Sequence, residues 1–70
     1  MTLQTRLIRA RKAKKLTRED LADLVAVTQG CIGHYETGRR EPSLDTLVAL
    51  SNILGVTTDY LLKGEEVEIG

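Results

Sequence analysis

The 70-residue sequence has no phenylalanine and no tryptophan, and its only aromatic residues are Tyr35 and Tyr60. Any core must therefore be built from leucine, isoleucine, valine and alanine. Cys31 is the single cysteine, which excludes an intrachain disulfide and gives no sign of a secreted scaffold. His34 is the single histidine, so one chain cannot supply a four-ligand zinc site unless several carboxylates join it; no metal and no cofactor is expected. Long hydrophobic runs are missing too. The stretches Leu24 to Val27 and Leu47 to Leu50 are four residues each, too short for a membrane span or a signal-peptide core. The expectation is a soluble cytoplasmic protein with no membrane partner. A chain this short makes one domain and buries only about 60% of its unfolded surface, which leaves little room to enclose a substrate cavity. Most enzyme folds are thereby disfavoured.

Net charge is also lacking, with ten Lys plus Arg against ten Asp plus Glu. A zero total speaks against a nucleic-acid partner only if the charges are evenly spread, and they are not. Residues 1–40 carry nine basic side chains (Arg6, Arg9, Arg11, Lys12, Lys14, Lys15, Arg18, Arg39, Arg40) and four acidic ones (Glu19, Asp20, Asp23, Glu36), an excess of five positive charges. Residues 41–70 carry Lys63 against Glu41, Asp45, Asp59, Glu65, Glu66 and Glu68, an excess of five negative charges.

Helical periodicity fills the space between short punctuation marks. Leu3, Leu7 and Ala10 are spaced by four and three, which predicts a first helix of about 13 residues ending near Lys14 or Lys15, with Arg6, Arg9, Lys12 and Lys14 largely outside. Thr17 reads as the N-cap of a short second helix, with Glu19 and Asp20 placed where a helix N-terminus favours negative charge and Leu21, Ala22 and Val25 facing inward. A break around Ala26 and Val27 leads to Thr28, an N-cap for a third helix running from about Gln29 to Glu36. Gly38 closes that helix and Pro42 prevents its continuation. Ser43 caps a fourth, with Leu44, Leu47, Leu50 and Leu54 as its apolar positions, ended by Gly55. Thr57 or Thr58 opens a last turn carrying Tyr60, Leu61 and Leu62, stopped by Gly64. In the tail, Val67 and Ile69 alternate with Glu66 and Glu68 as in a strand. The expected fold class is all-α, a compact bundle of five short helices with residues 1–64 as the domain and 65–70 as an acidic tail serving as dimer contact or linker.

The second and third helices are joined by about three residues, which suits a helix-turn-helix. The run Leu16-Thr17-Arg18-Glu19-Asp20-Leu21-Ala22, then Val27-Thr28-Gln29, then Ile32-Gly33-His34-Tyr35-Glu36-Thr37-Gly38-Arg39-Arg40-Glu41-Pro42-Ser43-Leu44, and finally Leu54-Gly55-Val56 and Asp59-Tyr60-Leu61-Leu62, resembles the lambda- and Cro-type phage repressor family, also called xenobiotic-response-element-type regulators. Its most specific piece is the Tyr-Glu-x-Gly-x-x-x-Pro run in register with the upstream Leu-Ala pair.

The resemblance implies a lambda repressor-like DNA-binding domain whose third helix enters the major groove while the second crosses the backbone. Carried over position by position, it gives Thr28, Gln29, Gly30, Cys31, Gly33 and His34 as base-facing residues. Gln29 leads, because a carboxamide can pair bidentately with adenine N6 and N7. Cys31 also reads as a small, part-buried residue. The two glycines each cost a helix about 1 kcal/mol relative to alanine, which suggests close approach of the partner as their use. Arg18, Thr37, Arg39 and Arg40 are the phosphate-binding candidates, and the remaining basic residues of the first helix supply a general positive field. Arg11 and Glu36 are expected to form a structural salt bridge. Two positions depart from the family pattern. Arg18 stands where Gln is common, and Ala26 stands where Gly often adopts a left-handed turn, implying either strain of about 1 kcal/mol or a different turn.

These readings favour a sequence-specific transcriptional regulator, a phage- or mobile-element-type repressor binding a palindromic operator in double-stranded DNA. It would act as a homodimer through the fifth helix and tail, with Tyr60, Leu61, Val67 and Ile69 as apolar candidates, some of which must also serve the core. The alternative is a protein-binding module such as an antitoxin or an antirepressor, with the acidic tail as partner segment. An enzyme acting on a small-molecule substrate is not expected, since neither Ser43 nor Ser51 has an indicated base or oxyanion site.

Overall fold

The computed structural model describes residues 2–64. Five helices follow in chain order: α1 (Leu3–Ala13), α2 (Arg18–Leu24), α3 (Gln29–Thr37), α4 (Leu44–Leu54) and α5 (Thr58–Lys63). No strand occurs among the described residues. The strand-like alternation around Val67 and Ile69, and the tail as dimer contact, lie outside them.

Each helix begins where a hydroxyl can take an orphan backbone N–H. Thr2, Thr17, Thr28, Ser43 and Thr57 all accept from the amide three residues on, and Asp20 completes a capping box by accepting from the Thr17 amide. Gly38, Gly55 and Gly64 close α3, α4 and α5 in the left-handed region.

The two earlier helix ends use the same geometry without glycine. Lys15 (φ 60°) follows α1 and Ala26 (φ 61°) follows α2. In each, the next amide reaches back five residues, Leu16 N–H to the Arg11 carbonyl at 3.2 Å and Val27 N–H to the Ala22 carbonyl at 2.9 Å. These are Schellman closures. The helix-turn-helix turn therefore keeps the left-handed geometry, with Ala26 in a conformation that costs an L-residue about 1 kcal/mol. The same closure at Lys15 explains why α1 stops at Ala13.

Each helix contributes one large, fully buried aliphatic side chain: Leu7, Leu21, Ile32, Leu50 and Leu61. Ala10, Ala22, Tyr35, Leu47 and Leu54 complete the core, with Leu3, Leu16, Val25 and Val27 packed against it. Helix α3 packs on α2 and α1, and α5 packs on α1 and α4.

Three side-chain expectations are corrected. Arg6 is not on the outer face: it is 5% exposed, and its Nε and Nη2 donate to the Leu61 and Leu62 carbonyls, both at 2.9 Å. Those carbonyls belong to the last turn of α5, where helix geometry leaves acceptors unsatisfied, so a guanidinium can be buried there without losing its hydrogen bonds. Leu44 is 74% exposed, because it is the first residue of α4 and precedes the turn that contacts the core. Leu61 is fully buried and cannot serve a dimer surface, whereas Leu62 is half-exposed.

Candidate nucleic-acid interface

Helix α3 has two unlike faces. Ile32, Tyr35 and Glu36 are buried against α1 and α2, while Thr28, Gln29, Gly30 and His34 are exposed and Cys31 and Gly33 are half-buried. Of the six base-facing candidates, Gln29, Gly30, Gly33 and His34 thus share the outer side of the helix and Thr28 is its cap, whereas Cys31 packs against the core.

An open concavity of about 390 Å³ lies along that side, lined by Arg18, Gln29, Gly30, Gly33, His34, Thr37 and Arg39. The glycines give it its depth. A Cβ on Gly30 would meet only the Thr28 hydroxyl at 3.9 Å, and one on Gly33 only Arg18 Nη1 at 3.8 Å. Nothing in the fold demands glycine at either place, and neither has a positive φ.

Cations stand around this concavity. Arg18 enters from the first turn of α2, and Arg39 from the loop after Gly38, whose amides at Arg39 and Arg40 bond the His34 carbonyl at 2.9 and 3.3 Å. Arg40 is exposed and acts on the Cys31 thiol. That thiol is held below its ordinary range, first by the Thr28 hydroxyl donating to Sγ at 3.3 Å, then by the Thr28 backbone, with Arg40 adding a smaller pull. Thr37 donates its hydroxyl to the Gly33 carbonyl at 2.9 Å, an internal bond that occupies its only proton.

The expected pair between Arg11 and Glu36 is present and buried. Arg11 Nε lies 2.7 Å from Glu36 Oε2, its Nη2 lies 3.3 Å from Oε1, and its Nη1 donates to the Leu16 carbonyl at 2.8 Å. One guanidinium thereby ties α1 to the end of α3 and to the loop before α2. Sequence reasoning missed the second arginine on the same carboxylate: Arg18 Nε donates to Glu36 Oε1 at 2.9 Å. No local pattern could show a contact between residues 18 apart in the chain. No group of acidic, histidine and cysteine side chains suited to a metal occurs among the described residues. Nor is any described helix long and apolar enough to cross a membrane.

The outward face of the second helix of a helix-turn-helix pair thus carries a concavity bordered by Arg18 and Arg39. The helix-turn-helix family profile matches residues 7–61. The chain belongs to the helix-turn-helix family. Within this family it is 50% identical over 62 residues to the HTH-type transcriptional regulator YqaE of Bacillus subtilis, a match covering 89% of this chain and 53% of that protein. It is 41% identical over 59 residues to repressor protein C2 of Salmonella phage P22, covering 83% of this chain and 27% of that one. The crystal structure of that P22 c2 repressor with a synthetic operator superposes with a TM-score of 0.89, at 34% identity, over 93% of this chain and 98% of the crystallised one. The family's members are Cro/C1-type transcriptional regulators and phage repressors, not enzymes. The chain spans about half the length of most of the curated helix-turn-helix relatives it matches.

Proposed function

We propose that this chain is the DNA-reading part of a phage- or mobile-element-type repressor that binds a palindromic operator as a homodimer, with α3 in the major groove. The observation that carries the reading is the concavity on α3, where a side chain able to pair with a base edge, two bare glycines and two arginines face outward together. Gln29 reads adenine through its carboxamide, and Thr28, Cys31 and His34 meet neighbouring base edges. Gly30 and Gly33 let the groove wall approach the helix backbone. Arg18, Arg39 and Arg40 take phosphates. Thr37 reaches one only by turning its proton from the Gly33 carbonyl, so it contributes less than the arginines.

A single reading helix covers a few base pairs, and pairing two domains about 34 Å apart on a two-fold site is the general route to higher affinity and specificity. The half-exposed Leu62 on α5 supplies an apolar contact for the second copy.

Fluorescence anisotropy on a random-sequence duplex at two salt concentrations tests the electrostatic part. A dimer neutralising about six phosphates gives a log–log slope near −5. Binding without salt dependence overturns the reading. On a specific site, Gln29→Ala should cost about 1–3 kcal/mol at one base position, whereas Arg39→Ala should weaken all sequences alike.

A further inference from the structure

One carboxylate sits between two guanidiniums. Glu36 is fully buried as a side chain, Arg11 is 10% exposed and Arg18 is 44% exposed. The three groups carry one surplus positive charge. It cannot be assigned to Arg11, whose Nε, Nη1 and Nη2 are all engaged inside the fold by Glu36 and the Leu16 carbonyl. Arg18 is engaged only through Nε, and its two Nη groups have no hydrogen-bond partner among the described residues. The surplus charge therefore faces the concavity on a guanidinium whose orientation a buried group has fixed.

Gly33 is the α3 residue beside this guanidinium. The position a Cβ would take there is 3.8 Å from Arg18 Nη1, so the guanidinium lies beside the α3 backbone with no side chain between them. With Nε anchored, the Nη1 and Nη2 donors form a preset fork, the arrangement that matches two oxygens of one phosphate. We propose that Glu36 is a positioning residue for DNA binding: it holds Arg18 so that its free fork meets a backbone phosphate beside α3, and Arg11 holds Glu36. This inference rests on the DNA reading above. In the bound state the charges alternate, from Arg11 through Glu36 and Arg18 to the phosphate, and the ion-pair cluster that ties α1 to α3 sets the register of the reading helix on the duplex.

The test compares Arg18→Ala and Arg18→Lys with the unaltered chain, using anisotropy on one duplex over a range of salt, together with thermal melts. Lysine keeps the charge but has no Nε–H, so it cannot bond Glu36 and offer a fork at once. Both variants should lose about tenfold in affinity, and Arg18→Ala should also lower the salt slope by about 0.9. Glu36→Gln, measured where its circular dichroism shows it folded, should remove most of the difference between Arg18 and Arg18→Ala in a double-mutant cycle. If Glu36→Gln does not fold, the lysine variant alone decides. Unaltered affinity in Arg18→Lys overturns the positioning role, and unaltered affinity and slope in Arg18→Ala, with only the melting temperature lowered, makes Arg18 a structural partner of Glu36. Failure of the unaltered chain to bind DNA with salt dependence would instead remove the DNA reading itself.

Discussion

Gly33→Ala separates folding from binding, because the two should move in opposite directions. Gly33 lies inside α3, where glycine is about 1 kcal/mol worse than alanine. Its φ is not positive, and an added methyl would meet only Arg18 Nη1 at 3.8 Å, an ordinary contact. The substitution should therefore stabilise the domain by about 0.5–1 kcal/mol, or roughly 4 °C in Tm for a chain of this size. Gly30→Ala is likewise free of clashes, but it sits in the first turn, where the gain is smaller. On the outer side both methyls fill the concavity along which a groove wall would approach, so both should weaken DNA binding. Circular dichroism melts and anisotropy on the same preparations give the two signs. A fall in Tm for Gly33→Ala would refute the packing argument, and undiminished binding by both variants would refute close approach as the use of the glycines.

Other perturbations probe the scaffold and the site's chemistry. Glu36→Gln leaves Arg11 buried without its counter-ion and should lower stability by about 3–5 kcal/mol in urea unfolding; a loss below about 1 kcal/mol would contradict the role of the pair. Ala26→Gly should raise stability by about 1 kcal/mol through relief of its positive φ, provided the turn keeps its Schellman closure, and a lower Tm would count against that strain. Because the Thr28 hydroxyl lowers the Cys31 pKa, the pH midpoint of Cys31 alkylation by iodoacetamide should lie below that of a free thiol. Thr28→Ala should move the midpoint up and Thr28→Ser should not, and bound DNA should slow the reaction; identical midpoints in all three proteins would contradict the hydrogen bond.

Local chemistry made most of this fold legible. The hydroxyl caps at Thr17, Thr28 and Ser43 and the glycines at 38, 55 and 64 act within one turn of chain, so their meaning survives without tertiary context. The lining of the concavity was legible for a related reason, since Gln29, Gly30, Gly33 and His34 share one face of a short helix whose ends were already fixed. What was hidden depends on distant partners. Arg6 looks like an exposed cation beside Leu7, and only the α5 carbonyls 55 and 56 residues away explain its burial. Arg18 likewise looks like a free surface charge until α3 brings Glu36 beside it. Periodicity alone overcounted Leu44, because the apolar spacing extends one position beyond where α4 meets the core.

On the reading proposed above, α3 reads DNA sequence from its outer face, in pairs of domains. In vitro selection from a random duplex library decides whether it does. The expected product is an enriched inverted repeat whose half-sites are centred about one helical turn apart, with the preference at one base position lost in Gln29→Ala. Selection that enriches no sequence, or an enriched repeat indifferent to substitution at Gln29, Gly30, Gly33 and His34, would contradict it.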